Sequence, residues 1–154
     1  MREILFKAKL KDWKTNPQQN KWVEGYYLRK KETTYCFAED YEKFPVKTLH
    51  YIAVDSMTDW GLPNEFRCYE IDLDTLCELT EFKDVSNRRI WENDILKCYK
   101  YNHGYSIVTN EVVQNTKGHF RTKTNSDLSF SSSRQHVKLL GNIFDNPELL
   151  KEGR

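Results

Sequence analysis

The sequence is poor in glycine, with six in 154 residues, and it contains neither a G-x-G-x-x-G segment nor a P-loop. Both motifs need glycines so that backbone amides can approach phosphate groups closely. The usual signatures of nucleotide-dependent chemistry are therefore missing. Long apolar runs are missing too, because the longest extend over only a few residues, whereas a membrane-spanning helix needs roughly 20. We expect no membrane-spanning segment.

The cysteines are few and scattered, at positions 36, 68, 77 and 98, and none forms a C-x-x-C pair. The first ten residues, MREILFKAKL, lack the apolar segment of about 7 to 15 residues that a secretory signal requires. A chain without such a signal is expected in a reducing compartment, where thiols persist. We therefore predict reduced cysteines and a location in a cytoplasm.

Catalytic and metal-binding patterns are also lacking. The four histidines form no H-x-x-x-H pair and lie at no zinc-finger spacing from a cysteine. Two carboxylate pairs, Asp72 with Asp74 and Glu92 with Asp94, could support acid–base chemistry, but capping and turn hydrogen bonds explain them more simply. We predict no catalytic residue, no metal, no cofactor and no enzymatic activity.

Aromatic residues are abundant instead, at 14% of the chain against a hydrophobic fraction of 38%. Such a core depends on Trp, Tyr and Phe, which suit pleated sheets better than helices. The length allows one ordinary domain or two very small ones. Composition therefore favours a mainly β protein.

Alternation predicts the first strands. In residues 3–10 apolar side chains alternate with lysines, which indicates a half-buried strand with Lys7 and Lys9 in solvent. Residues 21–28 read as a second strand that pairs with it as a hairpin. Gly25 inside this strand suggests a bulge or a close backbone approach.

Three further strand candidates follow, at residues 33–38, 48–54 and 66–71. Between the last two, DSMTDWGLPNE has the composition of a loop around a single Trp60. A loop tryptophan can stack on a ligand or fold back over the core, and we favour the core. Asp72 or Asp74 can then cap a single helical turn.

The segment 79–98, LTEFKDVSNRRIWENDILKC, reads as a turn, a short bridge, a corner and a strand. Asp84, Ser86 and Asn87 cluster at the turn, where Asn and Asp tolerate tight backbone geometry. Residues 92–94 form a second polar corner. The β-branched and aromatic residues 95–99 then begin a strand.

The same segment resembles the signature of the YopX family of phage and prophage proteins, which joins "TGLKD-NG" to "IYEGDIV". The matching positions are Leu79-Thr80, Lys83-Asp84, Asn87 and residues 90–96. The chain departs from the pattern at Asn93 and Arg88, where the family has glycine. It also has Val85 and Ser86 in place of the usual lysine before the turn asparagine.

Four other segments resemble the family in the same order along the chain. They are residues 2–6 at the amino terminus, 22–26 against "W-V-Y-G", 71–76 against "V-D-P-E-T-V" and 140–150 against "IGNIYENPELL". The resemblance implies mainly β structure, with a carboxy-terminal half similar to a small SH3-like barrel. It implies no established activity.

The second half of the sequence predicts a β meander. Residues 95–101 and 105–113 flank Asn102-His103-Gly104, and a turn at residues 116–118 leads to a third strand at 119–124. Residues 137–144 can close these strands into a barrel. The polar, Ser-rich residues 125–135 predict a surface loop. Asn146 followed by Pro147 indicates a short terminal helix.

We therefore predict a mainly β protein with an amino-terminal β region, residues 1–80, and an SH3-like barrel with a short terminal helix, residues 81–154. Our first functional hypothesis is a phage accessory protein that binds another protein or itself, because small barrels often expose strand edges. It involves no membrane.

The alternative is nucleic-acid binding. Residues 85–138 carry nine basic against four acidic side chains, a net charge of +5. Alternation places basic and aromatic side chains on one face of the first and third meander strands, the combination that single-stranded nucleic acid uses. The candidate binding residues are Lys97, Tyr99, Tyr101, His119, Arg121 and Lys123. The simpler interpretation, which we favour, is that the tyrosines pack across the barrel and the cations are solvated.

Overall fold

The computed structural model describes residues 3–102, 105–122 and 137–151. Within these residues the chain is mainly β, which confirms the predicted class, with antiparallel pairing throughout. The chain divides into two compact units, Met1–Leu76 and Cys77–Arg154. The predicted domains, 1–80 and 81–154, remain a prediction about which parts of the chain fold independently.

Four strands form the sheet of the first unit: β1 (Phe6–Lys9), β2 (Trp22–Lys31), β3 (Thr48–Ser56) and β4 (Glu65–Glu70). They lie in the order β4-β3-β2-β1, each beside its neighbour in sequence. The predicted hairpin of the first two strands is confirmed. One face carries the core, which is built on the buried residues Ala8, Ile52 and Ile71. A bridge between Leu10 and Ile71 joins the ends of β1 and β4.

The lysines of β1 are buried, so the prediction that they lie in solvent is wrong. Lys9 is only 1% exposed and Lys7 is also buried. The Lys9 ammonium lies 4.5 Å from the centre of the Trp13 ring and donates to the side-chain oxygen of Asn20. Lys7 lies 4.9 Å from the Trp22 ring. The tryptophan rings attract the ammonium groups and cover the alkyl chains of the two lysines. The face of β1 that carries the lysines is therefore buried, as is the face that carries Ala8.

Gly25 lies where β2 passes closest to the backbone of β3. A Cβ atom at this position would be 2.2 Å from the carbonyl oxygen of Ala53 and 3.1 Å from a side-chain methyl of Ile52. No side chain fits at such distances. The predicted close backbone approach is therefore confirmed.

The strand predicted for residues 33–38 is not formed: residues 33–37 are irregular, and a short helix, α1 (Ala38–Lys43), follows them. Acidic residues occupy its first turn and Lys43 its last, an order that the helix dipole favours. The backbone N–H of Tyr35 donates to the hydroxyl of Tyr41 at 3.0 Å, and the two rings meet edge-on. These contacts hold residue 35 against the helix, so it does not extend β2.

A 3-10 turn, Leu73–Thr75, ends the first unit. The side chain of Asp72 accepts the backbone N–H of Asp74 at 3.2 Å, so Asp72 is the predicted cap.

The described residues of the second unit form seven strands. They are β5 (Cys77–Lys83), β6 (Arg89–Trp91), β7 (Asp94–Asn102), β8 (Tyr105–Val112), β9 (Gln114–Thr116), β10 (His119–Arg121) and β11 (Val137–Asn142). Within the unit β5 pairs with β6, β7 pairs with both β8 and β11, and β9 pairs with β10. The core contains Ile90, Leu96, Cys98, Val113, Phe120 and Val137.

The third strand of the predicted meander therefore pairs differently from our expectation. β10 forms a hairpin with β9 through Lys117 and Gly118, both with positive φ, and does not join β7 and β8. The hairpin of β7 and β8 is confirmed by the pairing of Asn102 with Tyr105. No closed barrel is formed by the strands in the described residues, and the SH3-like assignment remains a prediction.

The polar corners of segment 79–98 adopt the tight geometry that the sequence predicts. Asn87 and Asn93 both have φ of 63°. Asn93 takes this left-handed conformation at a position where the family has glycine, since asparagine adopts it more readily than most residues. The terminal helix is a 3-10 helix, Pro147–Leu150, whose preceding Asn146 makes no side-chain cap.

Candidate functional site

The basic and aromatic surface predicted for the second unit is only partly described. Lys97 and Tyr99 lie on one face of β7, with the Lys97 ammonium 5.8 Å from the centre of the Tyr99 ring. Lys138 of β11 lies directly opposite Lys97. Lys123 and the side chain of Tyr101 lie outside the described residues. Lys97 and Tyr99 therefore share a face of β7, as the two-residue period of a strand predicts.

His119 and Arg121 lie in β10, and their hairpin is a two-stranded sheet apart from β7. His119 is exposed and Arg121 is half-buried. The hydrogen-bond pattern does not join these two residues to Lys97 and Tyr99. A single surface formed by all six candidates thus remains a prediction.

Asp84, a carboxylate of segment 79–98, makes an extensive set of hydrogen bonds. Its buried side chain accepts the backbone N–H groups of Ser86, Arg88 and Leu139 at 2.9, 2.9 and 3.1 Å. It also accepts two bonds from the Arg88 guanidinium, at 2.9 and 2.6 Å. The same guanidinium donates to the carbonyl of Leu139 at 2.6 Å. Asp84 therefore ties the turn between β5 and β6 to β11.

This environment keeps Asp84 ionised. Burial alone would raise the pKa of its carboxyl, but the bonds from the Arg88 side chain and from the three backbone amides outweigh burial and lower the pKa from 3.8 to about 2. A group with so low a pKa cannot exchange protons near neutral pH. Asp84 therefore has a structural role and is unsuited to general acid catalysis.

Three of the carboxylates in the predicted pairs, Asp72, Glu92 and Asp94, also accept backbone N–H groups. Asp94 is buried and accepts the N–H of Trp91 at 2.8 Å, which closes the corner before β7. Asp72 caps the 3-10 turn and accepts the indole N–H of Trp13 at 2.9 Å. Glu92 reaches the backbone N–H of Glu78 at 3.4 Å. These contacts agree with the simpler interpretation of capping and turn formation.

The first unit exposes apolar side chains on the hairpin of β3 and β4. Trp60 is 91% exposed, so the prediction that it folds over the core is wrong. Residues 59–62 form a tight turn, in which the N–H of Leu62 donates to the carbonyl of Asp59 and Gly61 has φ of 75°. This turn places Trp60 at the tip of the loop.

Other exposed apolar residues lie in the same loop as Trp60, in β4 and in β2, the strand on the other side of β3. Phe66 of β4 is 64% exposed, and its ring meets the ring of Tyr26 edge-on at 6.2 Å. We call this set the hairpin surface; it comprises Tyr26, Met57, Trp60, Leu62 and Phe66, all of them exposed. We did not predict this surface from the sequence, although the apolar residues of the loop were a signal that could have revealed it.

β4 also lies at an edge of its sheet. Just past its end, the N–H of Ile71 donates to the carbonyl of His50 in β3 at 3.0 Å. Because backbone groups alternate along a strand, Phe66, Cys68 and Glu70 direct their N–H and C=O groups away from β3. The carbonyl of Glu70 accepts the N–H of Lys11 at 3.1 Å. Among the described strands, none pairs with this edge at Phe66 and Cys68.

A cleft of about 330 Å³ lies between the carboxy-terminal end of β4 and residues 10–19. Its lining is mainly polar and includes an ion pair between Lys11 and Glu70 at 2.6 Å. Cys68 at its wall is an exposed free thiol, as is Cys36, whereas Cys77 and Cys98 are buried. The cleft contains no histidine that could activate the thiol.

Among the described residues, no group of three or more histidine, cysteine, aspartate or glutamate side chains is placed to hold a metal ion. The helices within the described ranges are all too short or too polar to cross a membrane.

Comparison with known proteins identifies the family of this chain. A family model described as "YopX protein" matches residues 13–151, which is most of the chain. In two further comparisons, no curated protein and no solved structure matches it. The match includes segment 79–98, which resembles the family signature, and the residues of the terminal 3-10 helix. The chain therefore belongs to the YopX family.

Proposed function

We propose that this chain is a non-enzymatic accessory protein of a phage or prophage that acts in the host cytoplasm by binding another protein or a second copy of itself. The observation that carries the proposal is the hairpin surface beside the edge of β4. Exposed apolar patches on soluble proteins mark interaction sites, and an open strand edge offers backbone hydrogen bonds to a partner. Burial of this surface would remove the cost of its exposure to water.

The carboxylates support the non-enzymatic part of the proposal. Asp72, Asp84 and Asp94 are engaged by backbone amides and by neighbouring side chains. Catalytic acids and bases need protons that they can exchange near the working pH. Side chains held as turn and cap acceptors serve stability instead.

Replacing three residues of the hairpin surface tests the proposal. We expect Met57→Ser/Trp60→Ser/Leu62→Ser to fold normally, because the three side chains are exposed. The same variant should lose at least about tenfold in affinity for its partner, since tryptophan is among the residues that contribute most to binding at an interface. Light scattering measures self-association, and pull-down from host lysate followed by binding titration of the retained protein measures hetero-association.

The matched control is Phe37→Ser, which removes an equally exposed apolar side chain outside the hairpin. It should bind as the unmodified chain does. A protein that stays monomeric and retains no partner would contradict the proposal. Equal losses in the control and the triple variant would contradict the assignment to the hairpin surface.

Nucleic-acid binding is the second candidate, and the row of Lys138, Lys97 and Tyr99 across β11 and β7 favours it. The cations would attract phosphates while Tyr99 stacks on a base. We expect gel shifts with single-stranded DNA or RNA that weaken steeply with salt, because bound phosphates release counterions. Absence of a shift at micromolar protein and low salt would contradict this candidate.

Substitutions distinguish the attraction of the cations for phosphates from the stacking of a base on Tyr99. Lys97→Ala/Arg121→Ala/Lys123→Ala should weaken binding to all sequences, and Tyr99→Ala should cost roughly 1 to 3 kcal/mol if a base stacks there. Duplex DNA serves as the comparison, since its bases are not available for stacking on Tyr99.

A further inference from the structure

The open edge of β4 has a restricted choice of partners because one end of it is already used. Phe66 and Cys68 present backbone groups outward, whereas the outward carbonyl of Glu70 is occupied by the N–H of Lys11. A strand added here can therefore bond at Phe66 and Cys68 but not at Glu70. This limits both the length and the register of any pairing.

Two identical strands can pair antiparallel about a two-fold axis. The residue on the axis then faces its own copy, and the residues on either side of it face each other. An axis at Cys68, Tyr69 or Glu70 would require the occupied carbonyl of Glu70. An axis at any of those three positions would break an existing hydrogen bond, so we exclude them.

The charges of the side chains decide which of the remaining residues of β4 can lie on the two-fold axis. An axis at Glu65 or Arg67 would place two like charges directly opposite each other, which destabilises a strand pair. An axis at Phe66 places Glu65 opposite the partner's Arg67, and this attraction occurs twice by symmetry. Phe66 is therefore the position in β4 at which backbone availability and charge agree.

The same axis also covers apolar surface. Phe66 would face the partner's Phe66, and the edge-on ring of Tyr26 would lie on the same face. Cross-strand aromatic pairs stabilise antiparallel strands beyond their hydrogen bonds. Self-complementarity of charge and shape is the property that a two-fold interface requires.

We propose that the partner of β4 is β4 of a second copy of this chain, paired antiparallel about Phe66 with two ion pairs between Glu65 and the partner's Arg67. This inference rests on the proposed function and specifies its partner. It joins the edge strand β4 of one copy to the same strand of the other, so that one sheet continues across both copies.

Charge reversal tests the register. Glu65→Arg leaves positive charge at positions 65 and 67 of both strands, and Arg67→Glu leaves negative charge at both. Each variant alone should dimerise roughly tenfold or more weakly than the unmodified chain. An equimolar mixture should recover a heterodimer, because every cross-strand contact is again between opposite charges. Analytical ultracentrifugation with one variant fluorescently labelled measures all three.

The mixture also separates contacts between chains from contacts within one chain. Arg67 and Glu65 form an exposed ion pair in the same strand, at 3.3 Å, and both variants lose it. Recovery on mixing can then come only from contacts between chains. Glu42→Arg on α1 is the matched control, since it changes the net charge by the same amount as Glu65→Arg at a site outside β4, and it should dimerise normally. Hydrogen exchange at the amides of Phe66 and Cys68 should slow as protein concentration rises.

Three results would overturn the inference: an unmodified chain that stays monomeric, a dimer that both reversals leave unchanged, or no recovery in the mixture. None of them overturns the proposed function if the hairpin surface still binds a host protein. Failure of both the self-association and the host-protein experiments would overturn the two together.

Discussion

Asp84→Ala should lower the free energy of unfolding by about 3 to 5 kcal/mol, because three backbone amides lose hydrogen bonds to a charged acceptor, each worth roughly 1.5 to 3 kcal/mol. The change deletes the acceptor of three backbone amides and leaves the guanidinium of Arg88 without its carboxylate. Urea denaturation followed by tryptophan fluorescence measures the loss, because Trp91 is buried in the same unit.

Glu42→Ala is the control for Asp84→Ala, since Glu42 is an exposed carboxylate on α1. Surface substitutions of this kind usually change stability by less than about 0.5 kcal/mol. A loss for Asp84→Ala as small as that of the control would show that the turn does not depend on the buried carboxylate.

Lowering the pH should remove the stabilisation that ionised Asp84 provides. The folded pKa of Asp84 is about 2 and lies below the ordinary value of 3.8, so the unfolded chain binds the proton more readily. The stabilisation is therefore present above about pH 4 and is lost as the pH falls towards 2. From the difference in pKa it is worth about 2 kcal/mol at neutral pH. Asp84→Asn should lack this part of the pH dependence, and identical profiles for the two proteins would contradict the assignment.

Gly25→Ala should also destabilise the first unit by about 3 kcal/mol, at the upper end of the usual cost of overpacking. The added methyl would lie 2.2 Å from the carbonyl oxygen of Ala53, and a backbone atom in a paired strand cannot move aside as a flexible side chain can. Thermal and urea unfolding of the purified variant give the loss.

Gly61→Ala is the matched glycine control. Gly61 has a positive φ, but an added Cβ there would meet nothing within 4 Å. Its cost should be about 1 to 2 kcal/mol, from the left-handed backbone alone. If Gly25→Ala proved less harmful than Gly61→Ala, then β2 and β3 would not be held as close as their atoms indicate.

Features that depend on neighbouring residues could be predicted from the sequence. The turn at Asp84, the corner at Asn93 and the hairpin at Lys117-Gly118 follow from local backbone chemistry, and all three are present. The shared face of Lys97 and Tyr99 follows from the period of a strand. The close approach at Gly25 could be predicted because a glycine weakens the interior of a strand and often marks a place where another backbone comes near.

Features that depend on distant partners were decided by tertiary structure alone. Alternation could not show that Lys9 is buried, because Trp13 and Trp22 cover it from other segments. It could not show that β10 pairs with β9, since pairing depends on which edges remain available. The position of β4 at the edge of its sheet could not be predicted for the same reason.

The β class, the positions of the tight turns and membership of the YopX family could thus be read from the sequence. Each of these is encoded in short segments, through backbone preferences, side-chain period and motif. Strand order, the burial of cations and the exposure of Trp60 were decided only in three dimensions. They depend on which surfaces meet, and the free energy of such contacts is a property of both surfaces together rather than of either segment alone.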